Sequence, residues 1–264
     1  MSLSANKPQL FRWVLNAALG IVFSLELLVP NLSPLLYPAL VVLAAAASVA
    51  ALHRQLPLQN VLLAAAIAAL IGGIAFGLSA LPDLSIPFGP ISFNPSSGQK
   101  IFNSIPWTIP LLWIVVIFNA RGVVRLMLRP WRKTKNYGWW VIGLTALLAS
   151  AFDFALEPFA VRVKHLWIWR PTRIPFTWQG ASPMAFLGWF FVALLILAFI
   201  TPSLIKKQPG SSGKSADVQP LFVWLGALLL FAAGPAIAGN WLPVGIDAGI
   251  AAVTLVLSVR GAKW

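Results

Sequence analysis

Tyr137-Gly138-Trp139-Trp140-Val141-Ile142-Gly143-Leu144-Thr145-Ala146-Leu147-Leu148-Ala149-Ser150-Ala151-Phe152-Asp153-Phe154-Ala155-Leu156-Glu157-Pro158 is an apolar run with no Lys or Arg. It reaches the roughly 20 residues that a helix needs to cross a bilayer. Its charged residues are the carboxyls Asp153 and Glu157, four positions apart. On a helix, residues at i and i+4 share one face. Ionisable groups inside a membrane are rare and point to a functional site. Two carboxyls so placed tend to hold one proton between them, which makes a proton donor.

The rest of the chain repeats the pattern. Hydrophobic residues make up 59% of it and charged residues 9%, with a mean hydropathy of +0.85. An ordinary soluble domain carries roughly 25% charged residues. Eight apolar runs are expected to span, near residues 11–29, 33–52, 58–81, 104–124, 137–157, 184–201, 221–238 and 244–259. Prolines fall at or just beyond most of their ends, where helices tolerate them, and Pro38 and Pro235 are expected to kink their helices. The expected fold is all-α, a polytopic transmembrane helical bundle forming a single integral-membrane domain over residues 1–264. No cleaved signal peptide is expected, because the first apolar run leads into further spans.

The formal charge of +13 does not imply nucleic acid, since the basic residues sit in short loops between spans. With the N terminus inside, fourteen Lys and Arg fall on the inner side and five on the outer. This asymmetry predicts both termini in the cytoplasm. Glu26, Asp83, Asp153, Glu157 and Asp247 then gather toward the outer leaflet, and Asp217 lies in an inner loop. A site open to the outer half of the bilayer produces this bias, as does the better tolerance of carboxylates at the interface.

Two long outer segments accompany the carboxyls. Leu84–Ile105, with Pro87-Phe88-Gly89-Pro90 and Phe93-Asn94-Pro95, leads into Pro106-Trp107-Thr108-Ile109-Pro110. It reads as a re-entrant or capping segment, or as a plain outer loop. Phe159–Pro183 holds Trp167, Trp169 and Trp178 with Lys164, Arg170 and Arg173 between or beside them. These tryptophans fit an interfacial aromatic belt. They equally fit a wall of flat surfaces that binds a conjugated ligand and shields a cation. Both segments are expected to fold together over one end of an elongated apolar pocket, because ordered loops longer than about 12–15 residues are usually functional.

With no cysteine and two scattered His, disulfides, thiolate chemistry and a His-rich metal site are not expected. Phosphate-binding Gly loops, nucleophile elbows and paired Asp-rich Mg²⁺ motifs are also missing from the sequence. Neither a metal nor another cofactor is expected.

The run Ala151–Val161 with Asp153 and Glu157-Pro158, then Trp167-Ile168-Trp169, then Pro183-Met184-Ala185-Phe186-Leu187-Gly188-Trp189, resembles a bacterial and archaeal family of integral-membrane carotenoid biosynthesis proteins. Pro87-Phe88-Gly89 and Pro106–Trp113 resemble it too. The likeness covers roughly residues 87–189. Ala185 stands where the family pattern has Asn, and Glu157 keeps the carboxyl of an Asp/Glu position. The resemblance implies a carotenoid or other long polyene lipid as ligand, membrane lipids as surroundings, no nucleic acid, and a bacterial-type inner membrane. It also implies a carotenoid 1,2-hydratase, a cofactor-free lyase working by acid/base catalysis. Asp153 and Glu157 would be catalytic, with Trp107, Trp167, Trp169, Trp178, Phe186 and Trp189 binding substrate. Glu26, Asp247 and Arg173 are possible additions.

Hydrating a terminal trisubstituted alkene needs one acid to protonate the less substituted carbon, one carboxylate to orient water, and walls that shield the tertiary cation. The sequence does not assign which carboxyl is the acid; depth favours Asp153 as donor and Glu157 as the group that orients water. A carotenoid cyclase uses the same cation without water. A non-catalytic carotenoid-binding or assembly subunit needs the groove and not the carboxyls. The residues leave all three open, and a proton-coupled transporter lacks a repeat or broken-helix pair to support it.

Overall fold

The computed structural model describes residues 7–29, 33–172, 174–205 and 217–264; the side chains of 7–9 and 12 lie outside the description. Among the described residues eight α-helices follow one another: α1 (Lys7–Leu28), α2 (Leu36–His53), α3 (Leu58–Ala80), α4 (Thr108–Met127), α5 (Tyr137–Pro158), α6 (Pro183–Ile200), α7 (Gln219–Ile237) and α8 (Trp241–Ala262). Each expected span is a helix. Seven are long and apolar enough to cross a membrane, and α1 contributes the shorter apolar segment Trp13–Leu28. The chain is an all-α integral membrane bundle.

The connections sort to two ends. At one end Arg54 pairs with Asp217 at 3.7 Å, the Asn60 amide donates to the Ser203 carbonyl, and Gly261 lies against the Leu126 carbonyl. This end carries Arg125, Arg129, Arg132, Lys133, Lys135, Arg260 and Lys263. Lys206, Lys207 and Lys214 lie outside the described residues. The opposite end carries the two long loops. Odd-numbered helices run from the basic end to the loop end, which puts both terminal helices' outer ends on the basic side.

Helix α4 is the most enclosed and packs against α2, α3, α5, α7 and α8. Trp113 on α4 lies flat against the bare backbone of Gly72 on α3, where a Cβ would strike the indole. Asn119, deep in α4, donates to Ser48 Oγ and to the Val115 carbonyl, both at 2.7 Å. A buried amide so satisfied costs little.

One expected boundary changes. The fourth span begins at Thr108, not near Ser104. Ile105–Pro106 (β3) instead pairs with Lys100–Ile101 (β2) in a short hairpin. Pro38 falls in the first turn of α2, where the missing N–H would be unpaired anyway. Pro235 lies in the last turn of α7, and the helix stops at Ile237.

The loops fold together. Ile91–Phe93 (β1) pairs antiparallel with Trp167–Trp169 (β4), Ile91 opposite Trp169 and Phe93 opposite Trp167. The Arg170 amide donates to the Pro90 carbonyl, and the Asn94 amide to the Leu166 carbonyl. Leu84–Ile105 is therefore a cap built of short strands and one 3₁₀ turn, Pro95–Ser97, with no α-helix.

Candidate functional site

The site is built on the loop end of α5. Pro158 closes α5, and residues Phe159–Val163 form one π-helical turn. Wider turns of this kind are frequent at functional sites. His165 then takes a left-handed backbone (φ 50°) that reverses the chain. Its carbonyl accepts hydrogen bonds from the Asn94 side-chain amide at 2.8 Å and from Ser96 Oγ at 2.5 Å. The reversal carries β4 back over the helix end.

Glu157 and Asp153 are both fully enclosed, at 0% and 1% exposure. Glu157 Oε2 accepts the Trp169 indole N–H at 2.9 Å and a longer one from Trp167 at 3.4 Å. Among the described residues its Oε1 has no hydrogen-bond partner, and neither does either oxygen of Asp153. Indole N–H groups aimed at one oxygen supply the charge-assisted bonds that a carboxylate takes. One helical turn deeper, Asp153 has none. Two carboxyls on one helix face thus sit in different hydrogen-bonding surroundings.

Beneath β4 lies an aromatic cluster. Trp189 on α6 stacks on Trp113 with centroids 4.3 Å apart. Phe76 on α3 meets Phe88 at 4.4 Å, Trp189 at 5.9 Å and Trp167 at 6.4 Å. Phe88, from the cap, is fully buried, and its amide donates to Ser79 Oγ. Gly188 makes room for that insertion: a Cβ there would come within 2.8 Å of the Pro87 carbonyl. Trp178 stacks on Phe154 at 4.7 Å and donates to that residue's carbonyl. Phe186 packs edge-on against Phe154. Trp107 immediately precedes α4. Ala185, where the resemblance has Asn, is buried in the first turn of α6.

The three additional candidates part company. Glu26 forms a buried ion pair with Lys164, which ties the end of α1 to the turn after α5. Asp247 is buried on α8, and neither of its oxygens has a hydrogen-bond partner among the described residues. Arg173 lies outside the described residues. Among the described residues, no three Asp, Glu or His side chains converge as a metal site would need.

Sequence reasoning missed two things. It treated Trp167 and Trp169 as ring surfaces and overlooked their N–H groups. It also gave no sign of a cavity of about 420 Å³ that lies beside α5. Helices α1, α2, α4, α5 and α7 line it, the last through Gln219, Phe222, Val223, Gly226, Ala227, Leu230 and Phe231. Phe152 and Leu156, the residues just before the two carboxyls, form its α5 wall. None of the tryptophans named from the sequence lines it.

No curated protein and no solved structure matches the chain. Residues 36–255 match the model of a family described as carotenoid biosynthesis protein. That span runs from the first residue of α2 to within the last two turns of α8 and includes both carboxyls, the cap and β4. This membrane protein belongs to the carotenoid biosynthesis protein family.

Proposed function

We propose that the protein hydrates the terminal 1,2 double bond of an acyclic carotenoid end group. The observation that carries this reading is the unequal carboxyl pair: Glu157 held by indole N–H groups, and Asp153 one turn away with no hydrogen-bond partner among the described residues. Asp153 acts as the acid. Its proton goes to C2, the less substituted alkene carbon, as the π electrons form the new C–H bond. A tertiary cation remains at C1. Water attacks C1 and passes a proton to the Glu157 carboxylate, which leaves a tertiary alcohol. Transfer of that proton from Glu157 to Asp153 restores the starting state. Aromatic faces nearby favour a transient cation. The match to a carotenoid biosynthesis family supports the substrate class.

The charge asymmetry of the loops supports an orientation with both termini in the cytoplasm, in a bacterial-type inner membrane. The carboxyl pair then works in the outer half of the bilayer.

The test is expression in a lycopene-producing host, followed by pigment extraction and mass measurement. A product heavier by one water is expected. An isomer of unchanged mass would replace hydration by cyclisation. Unchanged pigment that co-purifies with the protein would make it a binding subunit.

A further inference from the structure

The cavity between α1, α2, α4, α5 and α7 has no role in the chemistry just described. Its volume, about 420 Å³, falls within the roughly 300–1,000 Å³ of small-molecule sites. Its lining is apolar except for Asn16 and Gln219 at the basic end and Tyr37 near the loop end. The Gln219 amide is already engaged with Asn16 Oδ1 and the Ala47 carbonyl. No free charge faces the interior, so the site suits a hydrocarbon and not a headgroup.

Its shape is elongated. Along α7 the lining runs from Gln219 to Phe231, about 18 Å at the helical rise. That is a little over half of the roughly 30 Å hydrocarbon core. A chain long enough to span the core enters only in part. The way in is lateral: the lining residues Asn16 and Gly20 on α1 and Phe222 on α7 are exposed on the lipid-facing side. Gly20 and Gly226 keep the bore open. A Cβ at Gly20 would touch nothing within 4 Å, and one at Gly226 would meet only Phe23, at 3.8 Å.

We infer that this cavity is a binding site for one half of a linear isoprenoid chain, entered sideways between α1 and α7 and separated from the carboxyl pair by Phe152 and Leu156. The chain's identity as an acyclic carotenoid rests on the function proposed above; the site itself rests on the geometry. A chain lying along α7 has its loop-side end beside Leu156 and Phe231, level with the carboxyls on α5. Phe152 and Leu156 stand between the bore and the carboxyls, so the cavity holds chain and not the reacting end, and the length of the bore limits how much chain it takes.

The experiment measures carotenoid bound per protein, lycopene and its hydrated product together, by absorbance, after purification of the full chain from a lycopene-producing host. Wild type, Gly226→Leu, Gly20→Leu and Asp153→Asn are compared, with Gly77→Leu as control. Gly77 lies on α3, away from the cavity, with open space at its Cβ. Gly226→Leu fills the bore and should lower bound carotenoid at least fivefold. Gly20→Leu narrows the entrance, disturbs no packing, and should lower it two- to fivefold. Gly77→Leu and Asp153→Asn should bind as wild type does. Wild type that carries neither lycopene nor its hydrated product, or leucine variants at 20 and 226 that both keep full occupancy, would overturn the site. Loss of product in wild type with cavity-dependent binding intact would overturn the hydratase reading and leave the site standing. If Gly226→Leu does not fold, Gly20→Leu decides.

Discussion

Helix α5 faces two unlike neighbourhoods. Toward α3, α4 and α6 it meets stacked rings and a strand-built cap, with Trp189 on Trp113, Trp178 on Phe154, and indole N–H groups on Glu157. Toward α1 and α7 it meets a cavity of about 420 Å³. The packed side fixes side-chain positions, because close-packed interiors leave few alternative rotamers. The open side fixes nothing and leaves room for the chain inferred above. The proposed protonation of one carbon of a long flexible lipid needs both properties, and adjacent faces of a single helix divide them.

The sharpest way to test the packed side is to remove the acid. Asp153→Asn keeps shape and burial and deletes the proposed proton donor. Product formation should fall by about 10²–10⁴-fold, with protein level unchanged. A fully active variant would rule out Asp153.

The seam between the two sides is the ion pair of Glu26 on α1 with Lys164 after α5. Lys164→Met strands a buried carboxylate. Breaking a buried pair costs about 3–5 kcal/mol, so the melting temperature in detergent should drop sharply. Glu26→Gln, which leaves no stranded anion, should be milder. Equal melting of all three proteins would show that the pair does not hold α1.

The third test separates the N–H from the ring. Trp169→Phe keeps an aromatic surface and removes the 2.9 Å donor to Glu157. Hydrogen bonds to charged groups are worth about 1.5–3 kcal/mol, so product formation should fall by at least about tenfold. Trp178→Phe should have less effect, because its N–H serves only the Phe154 carbonyl. Equal effects at the two positions would reduce both tryptophans to ring surfaces.

The smallest contrast uses single methyl groups. Gly188→Ala pushes a Cβ to 2.8 Å from the Pro87 carbonyl, and overpacking of this kind costs about 1–3 kcal/mol. Gly226→Ala meets an ordinary 3.8 Å contact and should be neutral, or stabilising by roughly 0.5–1 kcal/mol through helix propensity. Thermal melting of the two variants compares the packed and open sides directly. The same shift in both would erase the distinction.

The sequence alone determined the eight helices, their basic and loop-bearing ends, and the placement of Asp153 and Glu157 on one face. Those follow from local rules: the length of an apolar run, the period of a helix, the sorting of Lys and Arg, and proline at helix ends. Spacing and composition also implied that Leu84–Ile105 and Phe159–Pro183 cover the same end. The tertiary structure decided the rest. Trp167 and Trp169 become donors to Glu157 because β4 pairs with β1, some seventy-five residues earlier, a long-range pairing with no local signature. Glu26 reads from sequence as a candidate site residue, yet its partner Lys164 lies on a turn placed by the π-helical end of α5. The start of α4 moved because Ile105–Pro106 found a strand partner in Lys100–Ile101. The cavity is drawn from five helices spread across the chain. A void is what packing leaves unfilled, so no single residue or spacing encodes it.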